Sequence, residues 1–451
     1  MSMTKFALLL AAAILPVAAI AATPQEIADD VSEQQLRGTV EKLVSFGTRH
    51  TLSSQTDPKR GIGAALRWAE DEFDRYSKAC GGCLTIVTPS DTVTGRRVPN
   101  PTKITDVVAV QRGTVEPNRV IIIQGHIDSR VTDVMDSTAD APGANDDGSG
   151  TAAVIEAARV LSKHKFPATI VYAALMGEEQ GLLGGKVLAD YAKAQGWQVE
   201  AVLNNDIIGN SCGSDGYCDD SHVRVLSEGV RGDWTKELIA AQRSRGGFND
   251  SPSRNISRFV EGLADDLGLG LDVRQIWRTD RFGRGGDHIA FQEIGFPAVR
   301  FTVAVEDYEH QHQDLRTEKG IKYGDTIDEM DFPYLAKVTK LNVAALAALA
   351  RAPMPPASEV EGAVKPDTTV SWQPAPGAAA YIIRWRPTNA ASWENSLRVP
   401  GTATSHVLKG IRVDDWVFGV SSVSEDGYES PVASAVPGGA FEPWAPPAAT
   451  Q

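Results

Sequence analysis

Five short polar stretches hold the residues best suited to chemistry. "GHID" supplies His126 and Asp128, "PGANDDGSG" Asp146 and Asp147, "GEEQG" Glu178 and Glu179, "NND" Asp206, and "EHQHQD" His310, His312 and Asp314. Singly they are bland. A His-x-Asp is commonly structural, an Asp-Asp-Gly is a turn or a helix N-cap, and paired Glu favour the positive end of a helix. Jointly they form a donor set of histidines and carboxylates with no thiolate. Oxygen-only sets suit magnesium or calcium and thiolates suit structural zinc, whereas the mixed set suits zinc, cobalt or manganese in an open catalytic site. Two histidines with several carboxylates exceed the needs of one tetrahedral ion. They fit two ions about 3.5–4 Å apart that share a carboxylate, a pair that polarises a carbonyl and brings the pKa of water to about 7. The "NDDG" loop does not read as a phosphate cradle, because its carboxylates repel phosphate. Nor does it read as a calcium loop, which needs alternating oxygens and a terminal Glu.

The elements that position these stretches follow from the periodicity. "TDVVAVQ", "VIIIQG", "TIVYAAL", "VEAVLNND" and "FPAVRFTV" read as short apolar strands. Between them, Ala64–Tyr76, Thr151–His164, Gly184–Ala194, "DWTKELIAAQRS" and "FPYLAKVTKLNVAALAALA" read as helices. Near-continuous apolar strands alternating with helices predict an α/β fold, a mixed and mostly parallel sheet covered by helices on both faces. The polar stretches fall at the carboxyl ends of the strands, where ligands gather in such sheets.

At 451 residues the chain predicts two domains. "APMPPASE", Ala352–Glu359, is a Pro-rich break, placing a linker over 353–361. Beyond it, "TTVSWQ", "YIIRWRP", "SHVLKG" and "WVFGVSSVS" alternate at sandwich spacing, predicting a small all-β domain over 362–439 and a tail over 440–451. Residues 1–21 have a basic Lys5, an apolar run and "AIA", the marks of a secretory signal peptide cut near Ala21/Ala22. An exported chain, periplasmic or secreted, carries disulfides. Cys80, Cys83, Cys212 and Cys218 allow three pairings, of which the local loops Cys80–Cys83 and Cys212–Cys218 are the simplest. A net charge of −14 argues against nucleic acid or anionic membrane as partner.

The ordered set "HID … PGANDDGSG … GEEQG … NND … GGDH … EHQHQD" resembles the M28 family of zinc aminopeptidases, over roughly Thr39–Ala350. The second block resembles a fibronectin type III domain, with Trp416 where that family usually has a Tyr. The first resemblance implies a phosphorylase/hydrolase-like fold for residues 22–352. It also implies two zinc ions held by His126, Asp146, Glu179, Asp206 and His310, with cobalt or manganese as alternatives and Asp146 as the bridge. Its mechanism implies water between the ions as nucleophile, Glu178 as general base, and substrates that are peptides with a free N-terminus. Asp128 is then placed to orient His126, and Asp147 to cap or orient its loop. His312 is the alternative ligand to His310; Tyr308, Asp287 and His312 are candidate substrate contacts. The free amine falls to carboxylates near the metals, Asp206 and Glu178. A monomer is expected, with protein or carbohydrate contact through the C-terminal module. Two other readings stay open at this point: a single-zinc acyltransferase like the glutaminyl cyclases, and a non-catalytic peptide-binding relative.

Overall fold

The structure is a computed structural model that describes residues 22–445, so the expected signal peptide lies outside the described residues. Its centre is an eight-stranded sheet. From one edge the strands run Leu84–Val87, Val107–Gln111, Ala168–Leu175, Glu116–His126, Gln198–Asn205, Ala298–Val303, His222–Ser227 and Asp272–Ile276. The four strands from Ala168–Leu175 to Ala298–Val303 are mutually parallel. Antiparallel partners flank them on both sides.

Alternation along one strand feeds two cores. In Glu116–His126, Ile121 and Ile123 pack with the helices Gly148–Leu161 and Phe332–Arg351, while Val120 and Ile122 pack with Leu183–Ala194 on the opposite face. All eight residues of Ala168–Leu175 are buried, the pattern of a strand covered on both sides. Helix Gly148–Leu161 sits so close to the sheet that side chains are excluded. A Cβ on Gly150 would lie 2.2 Å from the Asn205 carbonyl oxygen, and one on Gly125 would lie 2.6 Å from Gly150. The small residues of "DDGSG" are therefore what lets the preceding loop reach the sheet's carboxyl edge.

The C-terminal block forms two antiparallel sheets, of three and four strands, around Val370, Trp372, Tyr381, Ile383, Phe418 and Val420. Its first strand, Ser358–Glu361, pairs with Thr368–Trp372, so the sandwich begins inside the stretch expected to be linker. The block is also fastened to the α/β domain rather than tethered. Arg386 bonds Asp250 at 2.5 Å, Asn255 donates to Ser434, Arg258 donates to the Ala391 carbonyl, and Arg351 donates to the Tyr428 hydroxyl. The expected tail turns back too: Phe441 is buried, and the Trp444 N–H donates to Asp233. Cys80–Cys83 and Cys212–Cys218 are disulfide-bonded.

Candidate metal centre

Topology gathers the polar stretches at one edge. His126 ends its strand, Glu178 and Glu179 follow Ala168–Leu175, Asp206 follows Gln198–Asn205, and the turn after Ala298–Val303 carries residues 307–313. Asp146 enters from the loop before Gly148–Leu161. Two ligand-type groups result, His126–Asp146–Asp206 and Asp146–Glu179–His312, with the donor atoms of each within 4.8 Å of one another. Asp146 is common to both, and its two oxygens divide between them. Oδ1 lies 3.2 Å from His126 Nε2, and Oδ2 lies 2.8 Å from His312 Nε2. Asp206 Oδ1 is 3.9 Å from His126 Nε2, and Glu179 Oε1 is 3.0 Å from His312 Nε2.

His312, expected as a substrate contact or alternative ligand, therefore stands where His310 was expected. His310 Nδ1 lies 2.6 Å from Asp307, and its Nε2 lies 3.4 Å from Glu329. The reason is backbone conformation: His312 has φ 55°, the left-handed region that turns its ring back toward Asp146. Ile207, the residue after Asp206, has φ 58°, which is costlier still for a β-branched side chain. Such strain, on the order of 1–3 kcal/mol per residue, persists only where surrounding structure enforces it.

Other expected residues fall as follows. Asp128 is fully buried and collects the N–H groups of Gly177, Glu178 and Glu179 plus the Thr51 hydroxyl. Its backbone carbonyl, at 3.1 Å, is the nearer acceptor for His126 Nδ1; its carboxylate is at 3.5 Å. Asp147 faces away from the ligand atoms. It caps Gly148–Leu161 through Gly150 and also accepts the N–H groups of His126 and Ile207. Asp287, expected as a substrate contact, is 1% exposed and accepts from the Gly185 N–H, so it is sealed away from any substrate. Tyr308 is exposed, and Asp314 accepts from the Thr132 N–H.

Four supporting residues carry no motif. Arg49, fully buried, donates to the carbonyls of Ile127, Pro142 and Gly143, clamping two ligand-bearing loops together. Asp325 accepts the N–H groups of Asn145 and Asp146 at 2.8 and 2.7 Å. Arg300, buried between Asp206 and Asp280, lies 2.8 Å from Asp206 Oδ1. Arg130 Nε lies 2.9 Å from Glu179 Oε2, and its Nη2 is 2.6 Å from His312 Nδ1. Lone charged residues far apart in the sequence give no signal of such convergence.

The electrostatics fit cations. Burial alone would raise the Asp146 carboxyl, but His312 and His126 outweigh it and hold the group well below the usual carboxylate range. Burial disfavours a charged His126, yet Asp128, Asp146 and Asp206 hold its proton well above the ordinary imidazole range. Burial pushes the Glu178 carboxyl well up, opposed by His126 and reinforced by Glu179 and Asp206. Glu179 Oε1 is buried and faces His312 Nε2 at 3.0 Å. Buried carboxylate oxygens, two imidazole nitrogens and a split bridging carboxylate suit a borderline-soft divalent metal.

The profile of peptidase family M28 matches residues 106–328. A "Probable zinc metalloprotease" of Leptosphaeria maculans is 43% identical over 420 residues, 92% of this chain and 97% of that one. A protein of the same description from Pyricularia oryzae is 43% identical over 422 residues, 91% of this chain and 83% of that one. The chain belongs to peptidase family M28. Among solved structures, the Legionella pneumophila LapA aminopeptidase superposes with a TM-score of 0.53 at 20% identity, covering 72% of each chain. LapB from the same organism gives 0.52 at 20%, covering 72% of this chain and 74% of that one. At that identity the likeness concerns the fold.

Proposed function

We propose that the protein is an exported dinuclear zinc aminopeptidase. The observation that carries this reading is the division of Asp146, whose oxygens face two separate His-plus-carboxylate groups. His126, Asp146 and Asp206 would hold one ion, and Asp146, Glu179 and His312 the other. Zinc bound there supplies Lewis acidity toward the scissile carbonyl and toward water.

The chain's own residues supply the proton transfers and the order. Glu178 takes the proton of the attacking water at its carboxylate and passes it to the leaving amine nitrogen. Its backbone N–H is fixed by Asp128 Oδ1 at 3.2 Å, beside the Glu179 N–H on the other oxygen, so the adjacent glutamates are held in one frame with separate tasks. Burial raises the Glu178 carboxyl in the metal-free protein, and bound cations lower it again, toward a value suited to accepting a proton near neutrality. Arg49 and Asp325 keep the bridging Asp146 loop in place. The two disulfides support export to an oxidising compartment, periplasmic or outside the cell. The test is Glu178→Ala assayed on aminoacyl-p-nitroanilides. Metal content should be kept and turnover lost; retained turnover removes Glu178 as base. Cleavage of N-acetylated substrates as fast as unblocked ones would overturn the aminopeptidase reading.

A further inference from the structure

The hairpin Ser90–Thr105 is a cationic element in an acidic chain. Its charged residues are Arg96, Arg97 and Lys103 against Asp91 alone, in a protein of net charge −14. It is firmly seated: Val98 and Ile104 are buried, and Gln55 donates to the Lys103 carbonyl at 2.9 Å. Arg97 Nη1 donates to the Glu179 carbonyl at 2.9 Å, so the hairpin reaches the turn that bears Glu178 and Glu179.

Arg97 differs from the other arginines around the centre. Arg130 is paired with Glu179, Arg300 with Asp206 and Asp280, and Arg281 and Arg284 with Glu306. Arg49 is sealed from solvent. Arg97 is partly exposed, and among the described residues its one hydrogen bond is to that backbone carbonyl, with no carboxylate partner. A guanidinium presents its donors as a planar fork matched to a carboxylate, which leaves Nε and Nη2 for an anion.

Beside Arg97 lies a groove of about 310 Å³ between residues 51–55 and 99–103. Sites that hold small ligands run from about 300 to 1,000 Å³. Both walls lead to the Glu178–Glu179 turn. Thr51 donates to the Asp128 carboxylate, which also collects the Glu178 and Glu179 N–H groups. Pro99 follows Arg97 by two residues, roughly 7 Å of extended chain. Lys103 is the only charged residue in the lining.

We infer that this groove takes the leaving side of the substrate and that Arg97, with Lys103 in the groove wall, binds a carboxylate carried there. That carboxylate is the C-terminus of a short peptide or the side chain of an acidic second residue. The inference rests on the aminopeptidase reading. The first residue is released at the metals, so the rest of the peptide must lie along a surface that starts at Glu178, which protonates the leaving nitrogen. The groove is such a surface, and its charge complements the ligand's.

The test measures kcat and KM of the zinc-loaded protein on two matched pairs of peptides. Their first residue is the one released fastest from its p-nitroanilide; it is followed by Ala or Ala-amide in one pair and by Glu-amide or Gln-amide in the other. The carboxylate should raise kcat/KM about tenfold, mainly through KM, the scale of one charge-assisted hydrogen bond at a partly exposed site. A preference in the first pair assigns it to the chain terminus, and one in the second to the acidic side chain. In Arg97→Gln the ratio within the preferred pair should fall to about one, and Arg97→Lys, which keeps the charge without the fork, should restore part of it. Both members of a pair are read on the same variant, so a general loss of rate from the altered Glu179 contact cancels. Added salt should shrink the wild-type preference, because screening weakens a partly exposed pair. Ratios near one in both pairs, or a ratio that survives Arg97→Gln, overturn the inference. If no aminoacyl-p-nitroanilide is cleaved at all, the aminopeptidase reading fails instead.

Discussion

Asp250 gives a sharp test of how the two domains are joined. It lies just before the helix Pro252–Leu267 and is 4% exposed. Arg386 from the C-terminal sandwich meets it at 2.5 Å, and Arg258 lies 3.5 Å away. Burial pulls Arg258 down to about 9 and Arg254 down to about 10, with Asp250 the largest opposing influence on both. Asp250→Asn keeps the shape and removes the negative charge from among three guanidinium groups. At an effective dielectric of about 20, one ion pair near 4 Å contributes roughly 4 kcal/mol, and breaking a buried pair on one side costs about 3–5 kcal/mol. The expected loss is therefore about 3–5 kcal/mol, read as a lower urea midpoint at unchanged slope. The pair also joins the domains, so Arg386→Met should be destabilising, and a cycle with Asp250→Asn should show coupling above about 1 kcal/mol. A loss under about 1 kcal/mol in Asp250→Asn would refute the claim that the sandwich braces the peptidase domain through this residue.

Further outcomes follow from the site. His312→Ala should lose one of two zinc ions by elemental analysis, whereas His310→Ala should keep both, because His310 faces Asp307 and Glu329. Metal uptake near neutral pH should release protons, since His126 is held protonated well above its ordinary range until a metal takes Nε2; apparent affinity then rises with pH. Calorimetry in two buffers of different ionisation enthalpy checks this, and identical heats would contradict it. Asp325→Asn should weaken metal retention about 10–100-fold, the usual effect of removing a supporting partner, because Asp325 holds the Asn145 and Asp146 backbone.

Much of this was legible in the chain, and the exceptions have physical causes. The central strands announce themselves because burial on both faces demands near-continuous apolar runs such as "VIII" and "TIVYAAL". The outer strands His222–Ser227 and Asp272–Ile276, in mixed sequence, do not, and neither does the polar hairpin Ser90–Thr105 with its two prolines. Helix Pro252–Leu267 is disguised by "PSRNISR", whose arginines turn inward to meet Asp250 and Ser227 rather than outward to solvent. The ligand stretches are local and readable, but the choice between His310 and His312 is made by one left-handed residue inside an irregular turn. Arg49 and Asp325 reach the site from far along the chain, and Arg130, though near His126, meets Glu179 and His312 across it, a convergence that only the fold reveals.

The central claim is a two-ion centre that removes N-terminal residues. The direct measurement is activity on an unblocked aminoacyl-p-nitroanilide as zinc is added back to the metal-free protein, with bound metal counted on the same samples. The account predicts two ions bound per chain at full activity, with the N-acetylated substrate left uncleaved. Full activity at a single bound ion, or equal cleavage of the blocked substrate, would contradict it.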